Sequence, residues 1–492
     1  MFAAVPTAWR QAIARRFARP TMVGGDATSS PTTARQRRIR WRLVQVGGLV
    51  MLMVGVGVAF ELRSSMLQAR LLSRMAGGMS YSVRQGPAQS PHFPVAGPYD
   101  ERLGYTGIPK FVERLGQEGF KVSHQAQPNT ELSDFIARGG YAVYQEKTQA
   151  GLTVVDRDGH TLFSKRYPDS AYRDFDAVPR PVAGTLTFIE DRGLLDPRFP
   201  GKNPAVDWTR FTAAAATRLT GFSGAGSVNG GASTLATQLE KFRHSPRGRT
   251  GSSEEKLRQM ATASMRAYMT GPDSTGARQR IITDYLNSTP LGSRPGFGEI
   301  NGIADGLKVW YGTDFAAANK VLARLDRPIN ATKSGRTYKQ VLSLLLAQRR
   351  LAFYLKGNLA ELDKLANSHL GALRSAGAIT ADVAAAARKY RLTMLPEAPL
   401  PAAPNFTDRK AVDAIRADLL GTLQAPGLYS LDRLDLSVQS TIDQSAQVGV
   451  TKTLKSLATP QGVKNAGMVG HNMLADEDPV QGHLQRGALR TR

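Results

Sequence analysis

Gly230-Gly231-Ala232-Ser233-Thr234-Leu235-Ala236-Thr237-Gln238-Leu239-Glu240-Lys241 is the stretch on which the reading of this chain turns. The two glycines release the backbone into a turn, and Ser233 or Thr234 can cap the helix that follows. A turn entering a helix N-terminus leaves backbone N–H groups unpaired and suits a phosphate group. The spacing is not G-x-x-x-x-G-K-[ST], so no nucleotide P-loop is implied. Taken alone, this is an ordinary capped helix; its neighbours in sequence give it meaning.

Upstream, Phe188-Ile189-Glu190-Asp191-Arg192 is an apolar approach ending in two carboxylates and an arginine. Downstream, Ser253-Glu254-Glu255-Lys256-Leu257-Arg258-Gln259-Met260 opens a helix to about Tyr268. There Glu255, Gln259 and Arg266 share one broad face, with Lys256 at its edge. Acidic residues in a first turn also suit the helix dipole. Ser253-x-x-Lys256 has the spacing of an acyl-transfer nucleophile, but no S-x-N or K-T-G follows it. The last segments are Arg280-Ile281-Ile282-Thr283-Asp284-Tyr285-Leu286-Asn287, Gly298-Glu299-Ile300-Asn301-Gly302 and Trp310-Tyr311-Gly312.

In this order the segments resemble the peptidoglycan glycosyltransferase domain, glycosyltransferase family fifty-one, of bifunctional penicillin-binding proteins and monofunctional transglycosylases. Glu190-Asp191 matches that family's first motif. Gly231, Ser233, Thr234, Leu235, Gln238, Leu239 and Lys241 match its second, and Ile282, Tyr285, Leu286 and Asn287 its fourth. Gly298, Gly302, Gly306, Tyr311 and Gly312 fit the fifth. Ser440-Thr441-Ile442-Asp443 resembles the entry to the family's transpeptidase domain. Gln259 stands where the family's second glutamate belongs, with Lys256 kept and Glu255 one turn earlier; Ala236, Thr237 and Phe242 depart from the second motif.

The resemblance implies a mainly α, lysozyme-like glycosyltransferase domain, and the residues before it read as a small α+β region. It also implies polymerisation of lipid II into glycan with release of undecaprenyl diphosphate. Glu190 becomes the candidate base, with Gln259 or Glu255 at the second acidic position. Asp191, Ser233, Thr234, Gln238, Lys241, Lys256, Arg266 and Asn287 become candidate substrate contacts. A departing diphosphate needs positive charge or donors, from these side chains or from a divalent cation, Mg or Mn; no other cofactor is implied. The alternative is a non-catalytic relative that binds lipid diphosphate as an envelope scaffold or regulator.

Further out, Leu43–Phe60 is an eighteen-residue uncharged run behind Arg35, Arg37, Arg38, Arg40 and Arg42. About twenty apolar residues span a ~30 Å hydrocarbon core, and basic residues before a first span keep the N-terminus cytoplasmic. An uncleaved single transmembrane helix in the inner membrane, with the bulk extracytoplasmic, is therefore expected. Of the net charge of +24, about +16 lies beyond residue 42 and suits anionic lipid or diphosphate. No recognition-helix, zinc-ligand or aromatic-basic pattern points to nucleic acid. There is no cysteine, which excludes disulfides and thiol catalysis. The scattered histidines never form H-E-x-x-H. The expected partners are lipid II, the growing glycan, membrane lipid and other cell-wall synthesis proteins.

The expected organisation is a basic tail (1–42), a transmembrane helix (43–62), a linker (63–98), a small α+β domain (99–180) and the glycosyltransferase domain (181–335). A helical extension (336–394) follows, then a linker and truncated transpeptidase-like start (395–455) and a disordered tail (456–492). Strands are expected at Tyr141–Tyr144, Leu152–Asp156, Thr161–Ser164 and Ser437–Ile442.

Overall fold

The computed structural model describes residues 31–144, 146–208, 233–399, 406–459, 461 and 464. The basic leader to residue 30, Gly230, Gly231, Ala232 and nearly all of the tail after 459 lie outside the described residues. The chain divides into two units, residues 1–61 and 62–492.

The first unit holds most of α1 (Pro31–Ser64), whose stretch Arg40–Ser64 is long and apolar enough to cross a membrane. Its large side chains, among them Leu49, Met51, Val54 and Phe60, are exposed, as suits a helix whose solvent is lipid.

In the second unit, α2 (Met66–Gly77) is followed by β1 (Tyr81–Gln85), so the segment expected as a linker is structured. All of β1 is exposed, so neither of its faces is buried in a core despite the short Tyr81-Ser82-Val83-Arg84 alternation. After α3 (Pro98–Arg102) and α4 (Ile108–Gln117), β2 (His124–Pro128) pairs antiparallel with β1, Tyr81 opposite Pro128. α5 (Thr130–Ala137) is capped by Asn129, whose Oδ1 accepts from Leu132 N. Tyr141–Tyr144 is irregular, not the expected strand; Tyr141 N donates to Thr262 Oγ1 instead of a neighbouring strand.

β3 (Ala150–Val155) and β4 (Thr161–Tyr167) form the expected hairpin around Asp158-Gly159. Ala150, Leu152 and Val154 are buried while the residues between them are partly exposed, the period-two pattern of a half-covered strand.

The helical body comprises α6 (Arg180–Glu190), α7 (Leu235–His244), α8 (Ser253–Tyr268) and α9 (Thr275–Ser288). A two-stranded ribbon, β5 (Pro290–Arg294) and β6 (Gly298–Asn301), leads into α10 (Gly302–Tyr311) and α11 (Phe315–Leu322). Then come α12 (Ala331–Ala347), α13 (Leu351–Lys356), α14 (Leu359–Ser375) and α15 (Ala381–Lys389). The body has one continuous core running from Tyr172 to Leu392, through Leu186, Leu235, Ile282, Leu286, Leu342, Leu370 and Val383. The residues expected as a helical extension therefore share the core of the glycosyltransferase segment. α12 is its axis. At Gly335 a Cβ would come 2.5 Å from Ala387 N, so only glycine lets α12 and α15 approach this closely.

α16 (Phe406–Leu423), the single turn α17 (Leu428–Leu431), β7 (Leu436–Gln439) and α18 (Gln444–Leu457) complete the described chain. β7 lies parallel to β3, Leu152 opposite Leu436, and Leu423, Leu431 and Leu434 bury Leu152 and Val154. The expected transpeptidase-like start thus completes the sheet of the small α+β region.

Candidate active site

α7 organises the candidate site, and its own sequence explains why. Thr234 caps it, Oγ1 accepting from Thr237 N at 3.3 Å. At 3.6 residues per turn, Thr234, Gln238 and Lys241 then share one face. Ala236, Leu239, Glu240 and Arg243 share the opposite face.

On the first face, Gln238 Nε2 donates to Glu190 Oε2 at 3.3 Å, tying the end of α6 to α7. Arg349 Nη2 stands 3.8 Å from Glu190 Oε1. Tyr285 of α9 donates to Gln238 Oε1 at 3.5 Å and to Gln348 Oε1. Glu190 keeps 21% side-chain exposure, so a ligand can reach it. At the start of the same helix, Lys256 Nζ donates to Ser233 Oγ at 2.7 Å and to Thr237 Oγ1 at 3.4 Å. Burial and repulsion from Lys241 push the Lys256 ammonium down to about 8. Among the described residues its hydrogen-bond partners are neutral hydroxyls, so an incoming anion would restore the charge that burial disfavours.

Two residues expected at the second acidic position, Gln259 and Glu255, and three expected substrate contacts, Arg266, Asn287 and Asp191, are placed otherwise. Gln259 is fully buried, and its amide bonds Ser245 Oγ (2.8 Å) and Thr250 Oγ1 (3.1 Å). Glu255 turns back on its own helix start. Its Oε2 accepts from Gly251 N at 2.6 Å, one residue before the N-cap, while Ser252 Oγ caps the helix by accepting from Glu255 N. Arg266 reaches the other face of α7, donating to Glu240 Oε1 at 2.7 Å and lying 3.2 Å from Glu146 Oε2. Asn287 clamps backbone, Oδ1 accepting from Tyr172 N and Nδ2 donating to Tyr172 O, both at 2.8 Å. Asp191 is buried beside Lys202, Asn203, Thr234 and Arg278 around a very small cleft.

The opposite face of α7 is a buried ionic cluster around a cavity of about 450 Å³ that does not include Glu190. Glu240 lies within 4 Å of Arg243, Arg266 and His244, and Arg243 also meets Glu146 and Asp284. Burial alone would raise the Glu240 carboxyl, but Arg266, His244 and Arg243 hold it well below the usual range. Glu240, Arg243 and Arg266 at this cavity already pair with one another, whereas Glu190 and Lys256 are partly exposed.

Sequence reasoning missed Gln348 and Arg349, which reach the site from a 3₁₀ turn after α12. Their only signal is the polar-basic run Gln348-Arg349-Arg350 ending an apolar helix. It also missed Tyr285 as a contact, although that residue belongs to the fourth motif.

Asp156, Asp158 and His160 lie close enough together to share an ion, but Asp156 already accepts from Asp158 N, His160 N and His160 Nδ1 within the β3–β4 turn. Among the described residues, Arg349 stands beside Glu190 and Lys256 beside Ser233.

Residues 158–325 match the family model of the transglycosylases. They form a domain of that family, of the peptidoglycan glycosyltransferase class. The match begins in the β3–β4 turn, ahead of the expected start at 181, and ends after α11. No curated protein matches the chain.

Proposed function

We propose that this chain is a membrane-anchored peptidoglycan glycosyltransferase that polymerises lipid II and releases undecaprenyl diphosphate. The observation that carries this reading is the convergence on α7. Gln238 holds the Glu190 carboxylate, and Ser233 and Thr237 hold Lys256 a turn away on the same helix.

The sugar 4-hydroxyl is a weak nucleophile, and Glu190 accepts its proton as the new bond forms at the anomeric carbon. The leaving diphosphate needs no acid; it needs charge, which Lys256 supplies directly with Lys241 behind it. A single displacement inverts the centre, so one carboxylate suffices. No metal enters this scheme. Arg349 beside Glu190 keeps the carboxylate facing the reacting hydroxyl. α1 is the single-pass anchor, which holds the domain on the extracytoplasmic face of the inner membrane, in reach of lipid-linked substrate.

The position of Gln259 favours one other reading, a lipid-diphosphate-binding scaffold, because the second acid of the family is replaced by a buried amide. Glycan synthesis from lipid II by the purified full chain separates the two. Product from wild type and none from Glu190→Gln supports catalysis. Binding of a moenomycin-like phosphoglycolipid without any product from wild type supports the scaffold.

A further inference from the structure

The outer face of α2 has no role in the site. Ser65 precedes the helix in a left-handed turn (φ 53°), and Ser64 and Ser65 are both buried. On its inner face, Ala69, Leu72 and Ala76 pack against Met265, Ala267 and Tyr268 of α8. On its outer face, Leu67, Leu71 and Met75 recur every four residues and are all exposed. Arg70 and Arg74 share that side, and no acidic residue occurs from Met66 to Met79.

We propose that the Leu67–Leu71–Met75 face of α2 rests in the headgroup region of an anionic bilayer as a rigid interfacial helix. This rests on reading α1 as the membrane anchor. Three observations select lipid as the occupant. The helix begins one residue after the candidate span ends, so chain connectivity keeps it within a few residues of the bilayer surface. An apolar stripe bordered by arginines and free of acids is the composition of a helix lying in an anionic interface. Its other face is locked onto α8, so the stripe is presented ready-formed, and no folding on contact is needed. Such a contact would fix the height of α8, and with it Lys256, above the membrane.

The chain has no cysteine, so single-cysteine variants report one position each. Leu71→Cys, Val54→Cys in α1 and Leu257→Cys on an exposed part of α8 are labelled with an environment-sensitive fluorophore. The full chain is then reconstituted into phosphatidylethanolamine–phosphatidylglycerol vesicles carrying a nitroxide on a shallow acyl carbon. Loss of most emission at positions 54 and 71, with 257 unchanged, is the expected result. Replacing the anionic lipid by phosphatidylcholine, or introducing Arg70→Gln with Arg74→Gln, should weaken the loss at 71 and leave 54 as it was. Quenching at 54 with a water-exposed, unquenched label at 71 overturns the proposal while the anchor stands. A dry but unquenched label at 71 also overturns it, because a second copy or a protein partner then covers the face. An unquenched label at 54 overturns the anchor itself, and the proposal with it.

Discussion

The two faces of α7 carry charges of the same kinds and put them to opposite uses. Glu240 and Arg243 look inward, where His244, Arg266, Glu146 and Asp284 pair them, and Asp100 in turn pairs His244. Gln238 and Lys241 look the other way, where Glu190 stays reachable and Lys256 bonds neutral hydroxyls. A charge already matched by buried partners stabilises geometry; a charge held by weak neutral partners has binding energy left for a ligand. The comparison teaches that charge type alone does not mark a site. Arg266 and Lys256 sit on one helix, and their partners decide which of them meets substrate.

The same acid-to-amide change on each face breaks or sharpens this contrast. Glu190→Gln removes the proposed base, so the rate of lipid II polymerisation should fall by ~10²–10⁴-fold. Its melting temperature should match wild type, because Glu190 is partly exposed and outside the buried network. Glu240→Gln should do the reverse. Removing one partner of a buried ion pair costs about 3–5 kcal/mol, and here Arg266, Arg243 and His244 all lose the same acid. Denaturant unfolding should show that loss, while turnover per folded molecule should stay near wild type. If Glu240→Gln instead abolishes turnover without changing stability, the faces have been assigned the wrong way round.

The third effect in size is a pH dependence confined to the buried face. Burial would lower the His244 imidazole, but hydrogen bonds to Asp100 and Glu240 outweigh it and raise it to about 9. The folded state therefore holds a proton that the unfolded chain releases near 6.5. The stabilisation is complete below about 6.5 and disappears as pH rises through 9, roughly 3 kcal/mol in all. Unfolding free energies measured between pH 6 and 9.5 should show this decline, and Asp100→Asn should flatten it. A profile that rises over this range would mean that His244 is held neutral.

How much of this was legible in the sequence depends on how far apart the interacting groups lie. Helix starts were local and readable. The Thr234 cap and the Asp158-Gly159 hairpin both fall where neighbouring residues dictate them. The Glu190 and Lys256 candidates came from the order of motifs, and the structure brings both to α7. Arg266 is paired by Glu240 of α7 and by Glu146 far upstream in an irregular segment, and no local pattern signals either pairing. Asn287 sits among apolar motif residues, and only the fold reveals the Tyr172 backbone it clamps. The strand expected at Ser437–Ile442 is found as β7, but its pairing escaped, as did β1, for a related reason. β1 is wholly exposed, and β7 finds its parallel partner β3 almost three hundred residues earlier, so no local pattern encodes either pairing.

The smallest expected effect tests whether Lys256 really has charge to spare for a ligand. A charge-assisted hydrogen bond to phosphate contributes about 1.5–3 kcal/mol, so Lys256→Met should weaken binding of a phosphoglycolipid by ~10–100-fold. Stability should change little or improve, since burial and Lys241 already push the ammonium down to about 8 and folding works against its charged form. The same shift sets a sign for pH. Free protein loses the Lys256 proton as pH rises through about 8, whereas bound phosphate retains it, so wild-type affinity should fall above pH 8 with uptake of one proton on binding. Calorimetry in two buffers of different ionisation enthalpy measures that uptake directly, and it should vanish in Lys256→Met. Equal affinity for both proteins across this range would place the phosphate away from the start of α7, and the contrast between its two faces would lose its functional half.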